Sequence, residues 1–548
     1  MQQTGRLSIA CFLLVVFPVL NQGLLWQPPV APPVVAALSE GPTSSNGTFQ
    51  QLIDHSNPDL GTFSQRYWWD TTFWDGPGSP VVIFTPGEVS ADFYSGYLTN
   101  RTITGLYAQA IGAAVIVLEH RYWGQSSPFQ VLDTQNLRYL TLENAVADMV
   151  HFARTVNLPF DPSGVTNAPR APWISVGGSY SGALAAWIEK LSPGTFWAHH
   201  ASSAPVQAIR DFWQYFQPIQ DGMPRNCSLS MTQIATHIDS VLWQKKKTEI
   251  LRLKQMFGLE KLEHDDDFAS CGRCVPSGRV AEHTNYSRFY AMCDSIQGAR
   301  PVQTEEGNNT STTPKPIIPG TAAGFWQALA NYASWFKNEY LPGTCNSYGY
   351  FEWRSRRSVA CFDTYNETSP MYKDYSPSNT VNRQWFWMLC NQPFFYWQTG
   401  APLYVPSIVS RYLTPVYMER QCRLFFSPQE NVTFGAAAGK TEQMVNGLTG
   451  GWFVNTTRLI WVNGEFDPWR SASVSSAFRP GGPMRSSREA PVYLIRGAHH
   501  CTDLNTRNGE VNEDVRRAQL SVIAQMVEWI GEFYDLKKKG KIDEDGWI

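Results

Sequence analysis

The sequence predicts a doubly wound, mostly parallel α/β sheet carrying a large helical, cysteine-bearing insertion. Three observations predict it. PVVIFTP (80–86) and AAVIVLEHR (113–121) are β-branched and almost continuously apolar, as strands buried on both faces are. They alternate with helix-patterned stretches, the order that builds a parallel sheet. Strand signals then lapse after about residue 207 and return only in RLIWVNGEFD (458–467) and APVYLIRG (490–497).

Each element has a local reason. TGLYAQAIG (104–112) reads as the helix between the first two strands. TLENAVADMVHFARTV (141–156) is amphipathic, with Thr141 and Asn144 near its start. A strand over 172–177, a helix over 181–191 and a strand in AHHASSAPV (198–206) continue the alternation. Residues 208–257 look helical, 258–320 are polar and cysteine-bearing, and 323–340 and 383–399 read as aromatic helices without a parallel strand between them. A helix over 511–535 closes the fold. The expected division is a signal segment (1–23), a leader (24–48), a first sheet portion (49–206), a helical insertion (207–415) and a second sheet portion (416–548).

At 548 residues the chain exceeds one ordinary domain, and 43% hydrophobic residues exclude a disordered protein. A net charge of −3 without a basic patch excludes nucleic acid as a partner, and KKKGK (537–541) reads as a solvated tail. Arg6 followed by the apolar run 7–20, closed by Pro18, Asn21 and Gln22, predicts a secretory signal peptide and no lasting membrane span. Sequons at Asn46, Asn100, Asn226, Asn285, Asn308, Asn309, Asn366, Asn431 and Asn455 predict a glycosylated surface. Of ten cysteines, Cys11 leaves with the signal, so at most four internal disulfides and one spare thiol are expected. Cys271-Gly-Arg-Cys274 has metal or redox spacing, but no second such pair completes a zinc site, and disulfides are expected there. No metal or cofactor is implied.

The segment PWISVGGSYSGALAAWIEKL (172–191) joins a strand to a helix through a glycine-rich corner at Ser179. A serine there lifts its hydroxyl clear of the sheet, beside backbone N–H groups that can hold an oxyanion. This is close to the G-x-S-x-G elbow of α/β-hydrolases, with Ser181 where the last glycine is usual. The hydroxyl needs a base, and the base an orienting acid, in the chain order Ser, Asp or Glu, His. Asp467 follows one late strand and His499-His500 the other. Spacing alone leaves the choice between the two histidines open.

GGSYSGALAAW, LEHRYWGQSSP, NLRYLTLENAVADM, SSAPV, NGEFDPW and AHHCTDL, with FQQLIDHSNP and TFSQRYWWD near residues 49–70, resemble the prolylcarboxypeptidase, dipeptidyl peptidase II and thymus-specific serine protease family. The fungal secreted acid prolyl endopeptidases are the nearest branch by motif. The resemblance implies Ser179 as nucleophile, Asp467 as orienting acid and, through His-Cys-x-Asp, His500 as base. It implies oxyanion donors at Tyr180 and in the Gly87–Glu88 loop, where Pro86 replaces a glycine and removes an amide donor. It makes Glu119 and His120 structural. It also implies cleavage after proline, at acidic pH, with Trp469 and secondarily Trp385, Trp387 and Met388 lining the pocket. The partners expected are proline-containing peptides or proteins. A lipase or carboxylesterase on the same fold, or a non-catalytic secreted binding protein, are the alternatives. Exo- against endopeptidase mode, and oligomeric state, stay open.

Overall fold

The computed structural model describes residues 44–271, 288–300, 317, 320–429 and 435–542. The expected signal segment, Cys274 and four of the sequons (Asn285, Asn308, Asn309, Asn431) lie outside these residues.

The strands in chain order are β1 (Ser44–Leu52), β2 (Thr62–Asp70), β3 (Val81–Phe84), β4 (Ala114–Leu118), β5 (Trp173–Gly178), β6 (Ala198–Ser202), β7 (Ile209–Asp211), β8 (Phe395–Trp397), β9 (Leu459–Gly464) and β10 (Val492–Ile495). Eight form one sheet in the order β1-β2-β4-β3-β5-β6-β9-β10. From β4 to β10 every neighbouring pair is parallel, whereas β1 and β2 form an antiparallel hairpin on β4. Strand order reverses between β3 and β5, so a crevice opens at their carboxyl ends, where α/β sheets place their ligands.

Alternate strand residues serve two cores. Val82, Phe84, Val115, Val117, Ile174 and Val176 pack with Tyr107 and with Met526, Trp529 and Phe533 of the helix Glu513–Lys538. Val81, Ile83, Ile116, Leu118 and Trp173 face the helices Leu142–Thr155 and Tyr180–Leu191. That second core runs without a break into the insertion, through Trp385, Phe394 and Ile234. The insertion is thus a cap built onto one face of the sheet.

Three expectations need correction. The β1–β2 hairpin begins inside the expected leader, and its sequence does not read as two strands because buried Gln51 and Gln65 interrupt the apolar alternation. Gln51 Nε2 donates to Gln65 Oε1 (2.9 Å), and Gln65 Nε2 donates to the Glu119 carbonyl (2.8 Å). The 383–399 helix stops at Asn391, since Pro393 cannot continue it, and β8 follows. β8 pairs in parallel with β7, a strand inside the stretch expected to be wholly helical. Three disulfides appear among the described residues, Cys227–Cys293, Cys345–Cys361 and Cys390–Cys422, within the expected maximum of four, while Cys501 forms none. Cys271 is buried with its sulfur 3.4 Å from the Asp267 carbonyl oxygen.

The hairpin is fastened by a buried ion pair. Arg121 uses all five N–H groups: Nε and Nη2 on Asp148 (2.6 and 2.5 Å), Nη1 on the Tyr139 and Ile53 carbonyls, and Nη2 on the Leu52 carbonyl. Burial works to raise the Asp148 pKa, but the guanidinium outweighs it and holds the carboxyl below its ordinary value. Arg121→Met leaves that charge with His55 alone as side-chain ion partner (2.8 Å), so unfolding free energy should fall by about 3–5 kcal/mol in urea titrations. An unchanged midpoint would contradict this. Because the Asp148 pKa is depressed on folding, the pair's contribution is present above the ordinary carboxyl range and lost as pH falls through the depressed value.

Candidate active site

β5 ends in two glycines, and the chain turns at Ser179 with φ 62° and ψ −130°, a conformation that non-glycine residues rarely adopt. Close packing holds it there. A Cβ on Gly177 would lie 2.0 Å from the Ser181 carbonyl oxygen, and one on Gly182 2.6 Å from the Ser202 oxygen. The Ser179 N–H donates to the Ser202 carbonyl (2.9 Å), and the Ser179 side chain makes no capping bond to its own helix. Ser181, the departure from the usual elbow, is put to use. Its Oγ donates to the Gly178 carbonyl (2.8 Å) and accepts from the Gly178 N–H (3.0 Å), clamping the strand end.

Asp467 follows β9 and is fully buried. Its Oδ1 accepts from the Trp469 N–H and lies 2.9 Å from His500 Nδ1. Of the two adjacent histidines, His500 reaches this carboxyl. His499 instead turns its ring toward Phe466 (5.9 Å), and burial lowers its pKa. Burial also works to lower the His500 pKa, but the Cys501 sulfur and the Asp467 carboxylate outweigh it, so the imidazolium is favoured well above its ordinary range. Gly464 has room for no side chain, because a Cβ there would lie 2.3 Å from the His499 carbonyl oxygen. That close approach brings the loop after β10 onto the end of β9.

The Pro86-Gly87-Glu88 loop after β3 lies against the elbow. Gly87 has φ 77°, and a Cβ on it would sit 3.3 Å from Ser181 Cβ and 3.4 Å from Tyr180 Cδ1. The Gly87 N–H points at Thr85 Oγ1 (3.4 Å). The sequence singled out Glu88 for its amide, but its side chain is the more telling feature. It is 2% exposed, and its Oε1 has no hydrogen-bond partner. Burial pushes its pKa up to about 8, against the opposing pull of a charged His500. A neutral carboxyl group therefore sits close enough to His500 to feel its charge.

Glu119 and His120 belong to separate networks. Glu119 pairs with Arg66 and accepts from Ser126 Oγ (2.6 Å). His120 Nε2 meets the Tyr180 hydroxyl (3.1 Å), and burial lowers its pKa to about 4, leaving it neutral.

The four expected pocket residues divide. Trp385 packs edge-on against Tyr180, with ring centroids 5.3 Å apart. Trp469 sits among Phe212, Tyr215 and Tyr396. Trp387, two positions along the helix Arg383–Asn391, faces elsewhere: its Nε1 donates to the Leu140 carbonyl and its ring meets Phe426. Met388 is fully buried. Phe394, which packs near Tyr180 and stacks on Trp187, was not singled out from sequence. Its place depends on β8, which the sequence did not reveal.

Among the described residues no helix is long and apolar enough to cross a membrane. Residues 50–520 match the profile of the family described as serine carboxypeptidase S28. The chain is 45% identical over 535 residues to serine protease vicPa of Bipolaris victoriae (strain FI3), covering 96% of this chain and 97% of that one. It is 30% identical over 458 residues to a probable extracellular serine carboxypeptidase of Arthroderma benhamiae (81% and 60%). It is 27% identical over 520 residues to the human thymus-specific serine protease (90% and 88%). An α/β-hydrolase sheet with a serine elbow at its crevice, and a match of this extent, place the chain in the serine carboxypeptidase S28 family of serine peptidases.

Proposed function

We propose that this protein is a secreted serine peptidase that hydrolyses peptide bonds on the carboxyl side of proline through an acyl-enzyme. The observation that carries the reading is the strained Ser179 elbow, with Asp467 and His500 joined at 2.9 Å on the neighbouring strand ends. His500 takes the Ser179 proton as Oγ attacks the substrate carbonyl carbon, and Asp467 stabilises the imidazolium that forms. The proton then passes to the departing amine, the C–N bond breaks, and water hydrolyses the ester by the same steps reversed. The Tyr180 amide, at the helix N-terminus, and the Gly87–Glu88 loop supply donors for the oxyanion, and the neutral, unpartnered Glu88 carboxyl lies in the same site as a further O–H donor.

The aromatic cluster supports proline specificity. Trp385, Tyr180 and Phe394 beside the elbow, and Trp469 beyond Asp467, are buried rings that give the nucleophile the apolar surroundings a pyrrolidine ring requires. We assign Trp387 and Met388 to the walls behind this pocket. Three disulfides, and the exposure of Asn46, Asn100, Asn226, Asn366 and Asn455, support a secreted, glycosylated protein. So does the extracellular carboxypeptidase among the relatives. We assign residues 207–415 to the cap and the flanking portions to the sheet.

Ser179→Ala should abolish turnover. Asp467→Asn should lower kcat about 10⁴-fold while leaving KM near its original value. Paired chromogenic peptides with proline or alanine before the scissile bond check the specificity: equal cleavage of both contradicts it, and efficient turnover of simple esters without proline favours the esterase alternative.

Glu88 and His500 pull the pH profile in opposite directions. Deprotonating Glu88 puts a negative charge into the buried site near His500, where it opposes the developing oxyanion, so activity should fall as pH rises through about 8. This supports an acidic working range. The raised His500 pKa opposes it, since the base acts only when neutral. Glu88→Gln keeps a neutral hydrogen-bonding group and should remove the alkaline limb from a kcat profile. Persistence of that limb would assign it to another group.

A further inference from the structure

A second Ser, His and Asp cluster lies directly behind the first. His200 Nε2 is 2.9 Å from Asp503 Oδ2, Ser202 Oγ donates to Asp503 Oδ1 (2.5 Å), and His200 Nδ1 is 2.6 Å from the Tyr107 hydroxyl. Each of these side chains is buried. The carboxyl accepts from Ser202, and His200 Nε2 donates to its other oxygen. This is not a second catalytic site. Ser202 bonds to the acid rather than to the imidazole, and no solvent or substrate reaches it.

Its position suggests another role. Ser202 ends β6, the strand between the elbow strand and the Asp467 strand, and Ser203 follows it. The Ser202 carbonyl accepts the N–H of Ser179, and Ser203 Oγ accepts the N–H of Cys501, next to His500. The Ser202 side chain holds Asp503, three residues past His500. From the other side, Gln519 Nε2 donates to the Asp503 carbonyl (2.9 Å) and Asn508 Nδ2 to the Thr502 carbonyl (2.7 Å). Two consecutive residues therefore grip the nucleophile's backbone and the base's loop together. Ser203 and Cys501 both hold positive φ (52° and 54°), so the loop does not keep this course by local preference.

We propose that Asp503, held by Ser202 and His200, is a positioning residue that sets the placement of His500 against Ser179. This rests on the assignment of those two residues as base and nucleophile. The role is geometric, carried by hydrogen bonds, so Asn should replace Asp far better than Ala does. An asparagine oxygen still accepts from His200, and its amide can donate to Ser202 Oγ.

The test is the rate of covalent labelling by a fluorophosphonate probe, which needs the serine and its base but no proline. It is read beside kcat and KM for a peptide substrate, near-UV circular dichroism and the unfolding midpoint. In folded enzyme, Asp503→Ala should slow labelling about 100-fold, with kcat falling in step and KM within about twofold of wild type. Asp503→Asn should stay within about tenfold of wild type. Ser202→Ala removes one bond only, and decides the matter if Asp503→Ala does not fold: it should slow labelling about tenfold at native circular dichroism. Wild-type labelling by folded Asp503→Ala or Ser202→Ala would overturn the proposal, as would equal losses in the Ala and Asn variants. His500→Ala labelled at the wild-type rate would instead sink the underlying triad.

Discussion

The arrangement depends on the left-handed turn at Ser179. A residue with a side chain resists φ near 62°, and the strain persists only because the surroundings leave no alternative. Gly177 and Gly182 let the corner press against backbone, Ser181 clamps the strand end, and the end of β6 takes the Ser179 N–H. The result is a hydroxyl that its own helix does not consume, set beside the first amides of that helix. Strand order does the rest. Because β3, β5, β9 and β10 are parallel and strand order reverses between β3 and β5, the loops that follow these strands gather at one rim.

The cap is joined to this rim rather than hinged above it. One apolar core runs from the elbow helix into the insertion. Asn382, at the start of the helix Arg383–Asn391, accepts from Trp123 Nε1 (3.0 Å) and donates to the Glu88 carbonyl (3.3 Å). A cap residue thus touches the loop proposed to hold the oxyanion. Changes to the cap would therefore reach the chemistry as well as the breadth of the pocket.

The parallel strands were legible because burial on both faces leaves continuous apolar runs, and the elbow because glycine spacing reflects backbone contact. What escaped notice was set by tertiary partners. Gln51 and Gln65 look polar in sequence, yet they bond each other inside the sheet, which hid the hairpin. Phe395–Trp397 reads as more of an aromatic helix until β7 supplies a pairing strand. Spacing could not separate His499 from His500, since one residue's difference is decided by the turn at Cys501. Burial of the Glu88 carboxyl is likewise invisible in sequence, because the covering groups come from the elbow, the cap and the His500 loop. Trp385 and Trp387 look equivalent in sequence, and helical rotation sends them to different neighbours.

A crystal structure of the enzyme inactivated by a dipeptidyl phosphonate ending in a proline analogue tests the central claim most directly. The account predicts phosphorus bonded to Ser179 Oγ and the phosphonyl oxygen within hydrogen-bond reach of the Tyr180 amide and the Glu88 carboxyl. His500 should lie between Ser179 and Asp467, and the five-membered ring against Trp385 and Phe394 or Trp469. Attachment at another residue, or a phosphonyl oxygen pointing away from Tyr180 and Glu88, would contradict it.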